Sequence, residues 1–402
     1  MSQSFYSSLS GLTAFEKQIS VISNNISNVE TTAYKTESVT FAEMLSSAMA
    51  GNSAVSTGNG VTVVDISASW TQGDLTETGN TYDLAVTGSG FFVVTADTGV
   101  TYYTRDGSFE IDEDGNLVSD SGMVLQGYAI NDDGSIGALG DIVISSDFIE
   151  ATPTSELTAS LNLDSGSDTG NTFSSTITTY DSLGNEIPVT ITFTKSASNE
   201  WGWTASIDST YGTASGSGTL TFDTTGALVA GTDPTITLTL TNGATATQTI
   251  TWDLYDGSGN TNGDITQYAA TSSLSNTSQD GNAAGSLSSV SVDENGVIVG
   301  SYSNGTTKDL FRIALATFTN PDGLTKTASS TYSATTSSGV AVVGAAGADG
   351  YGTLTSGSLE TSNVDLAEEM SELIIAQRSY EACAKVISTE SDILRTIINV
   401  KS

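Results

Sequence analysis

Both ends of this chain carry an apolar repeat of 3.5 residues, and the long middle does not. Phe5, Ser8, Leu12, Phe15, Ile19, Ile22, Ile26 and Val29 follow one another in alternating steps of three and four, and all but Ser8 are large and apolar. Near the other end, Leu366, Leu373, Tyr380, Ile387 and Leu394 recur every seven residues, with Met370, Gln377, Ala384, Ser391 and Ile398 interleaved. Such a repeat makes a narrow helical seam that needs a partner helix. Two seams therefore predict that the ends pair with each other or with neighbouring copies. The plainer reading is two amphipathic helices docked on an ordinary core.

Composition argues against catalysis. The 402 residues include no His and a single Cys, Cys383, so the commonest general base and the commonest metal ligands are missing. No intramolecular disulfide is possible. Against 46 acidic residues stand 11 Lys plus Arg, a formal charge of −35. Nucleic-acid binding needs clustered cations, and an anionic lipid surface would repel this chain. No cofactor, nucleic-acid partner or membrane insertion is expected. The start, MSQSFYSSLSGLTAF, has neither a basic region nor a continuous apolar run, so it does not read as a cleaved signal peptide.

Along the chain, residues 1–29 read as a helix and 30–70 as a connecting segment. Within that segment a short helix is expected at Phe41 to Met49 and a flexible loop at Gly51 to Gly60. From Val61 the period changes to two. Gly88-Ser89-Gly90 reads as a hairpin turn between Tyr82–Val86 and Phe91–Val94. Further strands are expected at Gly107–Ile111, Asn116–Ser119, Val124–Ile130 and Asp141–Ile144. Near residue 150 alternating Thr runs begin, such as Thr235-Ile236-Thr237-Leu238-Thr239-Leu240. β-Branched residues at every second position suit a half-buried pleated surface. Residues 150–280 are thus expected to form an inserted all-β domain, a sandwich or barrel. It divides a first β-domain into 71–149 and 281–362, and residues 265–288 are expected to serve as its return linker. Strands resume at Ser288–Val292, Val297–Tyr302 and Leu310–Phe318, and the last helix occupies 363–402. The fold class is multidomain and mainly β with a terminal α-helical coiled coil. Its order is nested: helix, β, inserted β, β, helix.

The acidic turns Asp112-Glu113-Asp114-Gly115-Asn116, Asp132-Asp133-Gly134-Ser135 and Asp293-Glu294-Asn295-Gly296 fail as calcium loops. Counting from Asp112, Leu117 stands where an EF-hand needs Gly and Met123 where it needs Glu. Asp and Asn before Gly suit turns. Gly88-Ser89-Gly90 lacks the third Gly of a dinucleotide fingerprint, and Cys383 has no His to activate it.

Asn24-Asn25-Ile26-Ser27-Asn28-Val29, followed by Thr31-Thr32-Ala33-Tyr34-Lys35, resembles the N-terminal signature of the bacterial flagellar rod and hook (axial) protein family. Gly357-Ser358-Leu359-Glu360-Thr361-Ser362-Asn363-Val364-Asp365-Leu366, with Ala376-Gln377-Arg378-Ser379-Tyr380, resembles its C-terminal signature. Asp83-Leu84-Ala85-Val86, Gly90-Phe91-Phe92 and Tyr103-Thr104-Arg105-Asp106-Gly107 resemble its first β-domain. Ala33 stands where relatives often have Gly, which argues against a positive φ there. Cys383 stands where they often have Asn. The extra β-domain makes the chain similar to the hook branch rather than the shorter rod proteins. The resemblance implies a structural, non-enzymatic subunit of a tubular homopolymer outside the cell, a flexible joint passing motor torque from rod to filament. It implies export without a cleaved signal peptide through the flagellar type III apparatus. The implied partners are rod, hook-cap and hook–filament junction proteins. The helix seams would then be assembly surfaces, and Asn24, Asn25, Asn28, Tyr34, Lys35, Asn363, Asp365, Gln377 and Arg378 would be signature residues. A distal rod subunit stays open within the same class; a secreted β-rich adhesin or surface-layer protein stays open outside it.

Overall fold

The computed structural model describes residues 3–45, 58–131, 133–145 and 148–400. Two compact units share the chain. One comprises Met1–Ser145, Val290–Val299 and Lys308–Ser402; the other comprises Ser146–Ser289 and Gly300–Thr307.

The first unit begins with helix α1, Gln3–Ser27, and ends with helix α2, Leu366–Val400. They run antiparallel. Ser4 donates to the Glu390 carboxylate, a Cβ on Gly11 would meet Cys383 Sγ at 3.1 Å, and Asn25 Nδ2 donates to Glu369 Oε1 at 2.9 Å. Small side chains at the contact let the two backbones approach. After α1 comes a long antiparallel pair, β1 (Glu37–Leu45) and β2 (Gly58–Ala68). The expected helix from Phe41 is therefore a strand as far as Leu45. Ser38 to Phe41 alternates polar and apolar residues, and Phe41 to Glu43 pairs with the β-branched run Val61–Val63, which outweighs the local helical tendency. The rest of that expected helix, through Met49, lies outside the described residues. So does most of the expected loop, because Gly58–Gly60 already belongs to β2. Phe41 packs on Phe15 of α1, ring centroids 6.1 Å apart. Gly60 sits at φ +104, and a Cβ there would strike Ser10 Oγ, so a side chain would push α1 off β2.

In the body of the first unit, strand Phe91–Thr95 is buried on both faces. Phe91 and Val93 join Tyr103, Ala314, Ala316 and Tyr332 on one side. Phe92 stacks edge-on against Phe109 on the other, 5.3 Å away. No hairpin forms at Gly88-Ser89-Gly90. Strand Leu84–Thr87 pairs instead with Thr353–Ser356, while Phe91–Thr95 pairs with Thr101–Thr104. Leu84, Ala85 and Val86 are all buried, and an apolar run with no solvent face takes partners from the far end of the chain. Leu75–Glu77 likewise pairs with Ser358–Glu360. Strand Val124–Ile130 has the expected bounds, but the strand that follows it is Ile136–Asp141, antiparallel to it, rather than Asp141–Ile144. Ile142 and Ile144 are buried beyond that strand's end.

The acidic turns build hairpins. Asp112 Oδ1 accepts the N–H groups of Asp114 and Asn116 at 2.9 and 2.8 Å, and Asp293 Oδ1 those of Asn295 and Val297. Asp133 does the same for Ser135; Asp132 lies outside the described residues.

The second unit stacks a four-stranded sheet (Thr172–Tyr180, Glu186–Ala197, Glu200–Ser206, Ser217–Thr221) on a six-stranded one. A single core lies between, centred on Phe193, Trp201, Trp203, Ile236, Leu238, Ile250 and Trp252. The alternating Thr residues face outward, and pairs such as Ser174–Thr192 and Thr176–Thr190 share hydrogen bonds of 3.0 Å across strands. Residues 265–288 are not a linker. Ser273–Gln279 is a strand antiparallel to Glu156–Asn162. Leu274 alone in that strand packs on the core, so the run is too polar to show a period. A fragment of residues 146–289 is expected to melt cooperatively with a β-type circular dichroism spectrum and tryptophan emission shielded from water. A fragment without a melting transition would mean the second unit borrows its stability from the rest.

Candidate functional site

The signature residues do not form a cleft. All but Gln377 and Arg378 lie where residues 24–37 are bolted to residues 360–369, at the junction of the two helices with the strands of the first unit. Asn25, buried in α1, uses every polar atom of its side chain. Nδ2 donates to Glu37 O at 2.8 Å and to Glu369 Oε1, while Oδ1 accepts from Tyr34 Oη and Glu37 N at 3.1 Å each. Asn24 Nδ2 donates to Tyr34 Oη at 3.2 Å. Asn28 closes the end of α1, donating to Asn24 O at 2.8 Å and accepting from Thr31. Asn363 does the same work on the segment between strand Ser358–Glu360 and α2. Its Oδ1 accepts from Thr36 N and Oγ1 at 2.8 Å, and its Nδ2 donates to Ser69 O, Thr71 O and Thr71 Oγ1.

Beside this network lies a buried ion cluster. Lys35 Nζ donates to Glu360 Oε1 and, at 2.8 Å, to Thr71 O; Gly73 N donates to the same carboxylate oxygen. Arg105 lies 3.6 Å from Glu360 Oε2, donates to Gly88 O at 2.8 Å and covers the Phe91 ring. Glu360 is 0% exposed and Lys35 1%. Burial pulls the Lys35 ammonium below its ordinary value, and the Glu360 hydrogen bond and charge oppose that. Burial lowers Arg105 too, again against Glu360. Burial raises the Tyr34 hydroxyl, helped by the charge on Glu37. Lys326 pairs with Glu37 at 2.9 Å and sits 4.2 Å over the Tyr34 ring.

Ala33 adopts φ +56, contrary to the expectation from its side chain. Its N–H donates to Glu360 O at 2.8 Å and its methyl is fully buried, so tertiary contacts hold a conformation that Ala alone disfavours. Asp365 caps α2, accepting from Ala367 N at 2.8 Å and Glu368 N at 3.2 Å. Asp365→Ala is expected to cost about 0.5–2 kcal/mol, read as a lower melting temperature of the first unit.

Among the expected seam residues, Ile22 is buried, and Phe5, Leu12, Phe15, Ile19, Ile26, Val29, Leu373, Tyr380 and Ile387 are half-buried. Leu366, Met370 and Leu394 are exposed; the side chain of Ile398 lies outside the described residues. On α1 the most buried positions are Gly11, Ala14, Val21, Ile22 and Asn25, and on α2 they are Glu369 and Ala376. Gln377 and Arg378 are exposed, Arg378 bonding only to Glu381, one turn on. The roles of Glu360, Arg105 and Glu369 were not read from the sequence. The available signal was scarcity: with 11 cations in the chain, one inside a signature invites a search for its carboxylate. The described residues hold no group of three or more potential metal ligands, and none of the described helices is long and apolar enough to cross a membrane.

Four family models match consecutive stretches of the chain. Residues 5–35 match the flagella basal body rod protein and 85–156 the flagellar hook protein FlgE/F/G D1 domain. Residues 144–282 match the flagellar basal body protein FlaE D2 domain and 355–400 the flagellar basal body rod FlgEFG protein C-terminal region. The flagellar hook protein FlgE of Salmonella typhimurium is 34% identical, over 99% of this chain and 100% of that protein. Its counterparts in Escherichia coli K12 and Borreliella burgdorferi are each 33% identical, covering 99% and 100% of this chain and all of their own length. In fold, the chain is similar to the crystal structure of Helicobacter pylori flagellar hook protein FlgE2, with a TM-score of 0.54 at 15% identity over 71% of this chain and 100% of that one. With identity above 30% along its whole length, the chain belongs to the flagellar hook protein FlgE family.

Proposed function

We propose that this chain is the structural subunit of a flagellar hook and polymerises, outside the cell, through its terminal helices. The observation that carries this reading is the surface of α2. Leu366, Met370 and Ile374 follow at four-residue steps, and Ile375, Val386 and Ile393 at eleven and seven, so they line two strips of the helix. All six are exposed in the single chain, Ile374 and Ile375 to 60 and 65%. Apolar strips on a helix that already has one partner call for more partners. Copies of the same helix, packed as coiled coils around a tube, supply them. Gln377 and Arg378 stand exposed beside the strips, within reach of a neighbouring copy.

The network of Asn25, Tyr34, Lys35, Glu360 and Asn363 supports this reading from the other side. It fixes the helix pair to the β-body, so torque reaching the helices passes into the rest of the subunit. The second unit forms the inserted outer domain. The rod, the hook-cap and hook–filament junction proteins and the type III export apparatus are the partners of such a subunit, which works by geometry and carries out no chemistry. Negative-stain microscopy of the concentrated protein tests the proposal. Curved tubes are expected; straight rigid tubes would indicate a rod subunit, and dispersed particles at every concentration would remove the reading.

A further inference from the structure

Glu369 is a carboxyl placed inside the α1–α2 contact with support for only half of it. It is 7% exposed; Oε1 accepts from Asn25 Nδ2, and Oε2 is buried without a hydrogen-bond partner. Asn25 has nothing left to offer, because its other bonds go to Tyr34 and Glu37. Nor, among the described residues, does any cation face this carboxyl. From Gln18 to its end at Ser27, α1 carries no ionisable side chain, and neither do Asn28 and Val29. The segment after α1 presents Tyr34 and Glu37, with Lys35 engaged by Glu360. Lys326 is engaged by Glu37 and the Tyr34 ring. Before α2 stands Asp365, occupied with the cap, and on α2 itself the acidic Glu368 and Glu372.

We propose that the helix pair closes with Glu369 as a neutral acid, so that closure takes up one proton. A buried carboxylate with an empty oxygen costs more than a buried carboxylic acid. Burial, with the charges of Glu372 and Glu368, raises the proton affinity of this group against the opposing Asn25 bond. The sign follows. A carboxyl whose affinity for a proton is higher in the closed pair stabilises closure at low pH, and that stabilisation is lost as pH rises through the closed-state value. The inference does not depend on the hook reading.

The test uses the full-length monomer. Carbon-13 carboxyl NMR of glutamate-labelled protein is expected to show one resonance titrating above the exposed glutamates, absent in Glu369→Gln. Helix content by circular dichroism is expected to fall in the wild type as pH rises beyond the range in which the exposed glutamates titrate. It should stay level in Glu369→Gln and in the apolar Glu369→Met. Glu16→Gln removes the same charge from an exposed site on α1 whose charge does not act on Glu369, and is expected to keep the wild-type profile. Glu369 titrating with the exposed glutamates, or Glu369→Gln retaining the wild-type profile, overturns the proposal. Failure of both Glu369 variants to form the pair at any pH also overturns it, because the charged form would then be the one required.

Discussion

Glu360→Gln lowers the stability of the first unit by about 3–5 kcal/mol, the usual cost of removing one partner from a buried ion pair. The substitution keeps the shape and removes the charge. Lys35 and Arg105 are then left in the interior with neutral acceptors alone, the introduced amide oxygen and the backbone carbonyls of Thr71 and Gly88. The loss also depends on pH. Burial already pulls the Lys35 ammonium down, and without the Glu360 charge the opposition to it weakens, so Lys35 releases its proton more readily in the folded state than in the unfolded one. A group with depressed proton affinity in the fold opposes folding at low pH and ceases to do so as pH rises, so the deficit of Glu360→Gln shrinks in alkali. Urea unfolding followed by far-ultraviolet circular dichroism measures the first unit. Tryptophan emission, dominated by Trp201, Trp203 and Trp252, monitors the second, which should not change. Arg378→Ala breaks an exposed pair with Glu381 and is expected to cost no more than about 1 kcal/mol. Equal losses in the two variants would show that the buried cluster is no anchor.

The second large effect is on assembly. Ile375→Asp places a carboxylate on an exposed strip of α2 where a neighbouring copy is to exclude water; burying an unpaired charge there costs several kcal/mol. A loss of ~3 kcal/mol raises the concentration needed for tubes about 100-fold. Thr98→Asp adds the same charge at an exposed turn, so overall repulsion between these acidic subunits is matched. Neither change touches a buried group, and both monomers are expected to melt as the wild type does. Sedimentation and microscopy then compare them. If the two variants assemble at the same concentration, the strip containing Ile375 is not a contact that builds the polymer.

Periodicity made the regular elements legible. The heptads located helices now seen at Gln3–Ser27 and Leu366–Val400, and strands Val124–Ile130 and Val297–Tyr302 have the bounds their alternation suggested. Periodicity weighs large apolar side chains, however, and the chain's own helix pair closes over small ones. Gly11, Ala14 and Ala376 carry almost no hydrophobic signal, yet they decide how near the helices come. The anchor was hidden for another reason. Lys35 and Glu360 are separated by the whole body of the protein, and no local pattern marks one as the other's partner. Sequence proximity also misled at Gly88–Gly90, where a hairpin signal joins strands of different sheets. At Ala33, side-chain preference pointed to one conformation and tertiary hydrogen bonding selected another.

The aspartate turns separate the charge of this surface from its shape. At Asp133, Asp208, Asp223 and Asp293 one oxygen, Oδ1, receives the N–H groups that close the turn. An asparagine offers the same oxygen in the same place. Each of these four positions is therefore a dial for surface potential that leaves the backbone alone. The ionic strength at which copies of this chain come together can be tuned by up to four charges per subunit without redrawing a single strand.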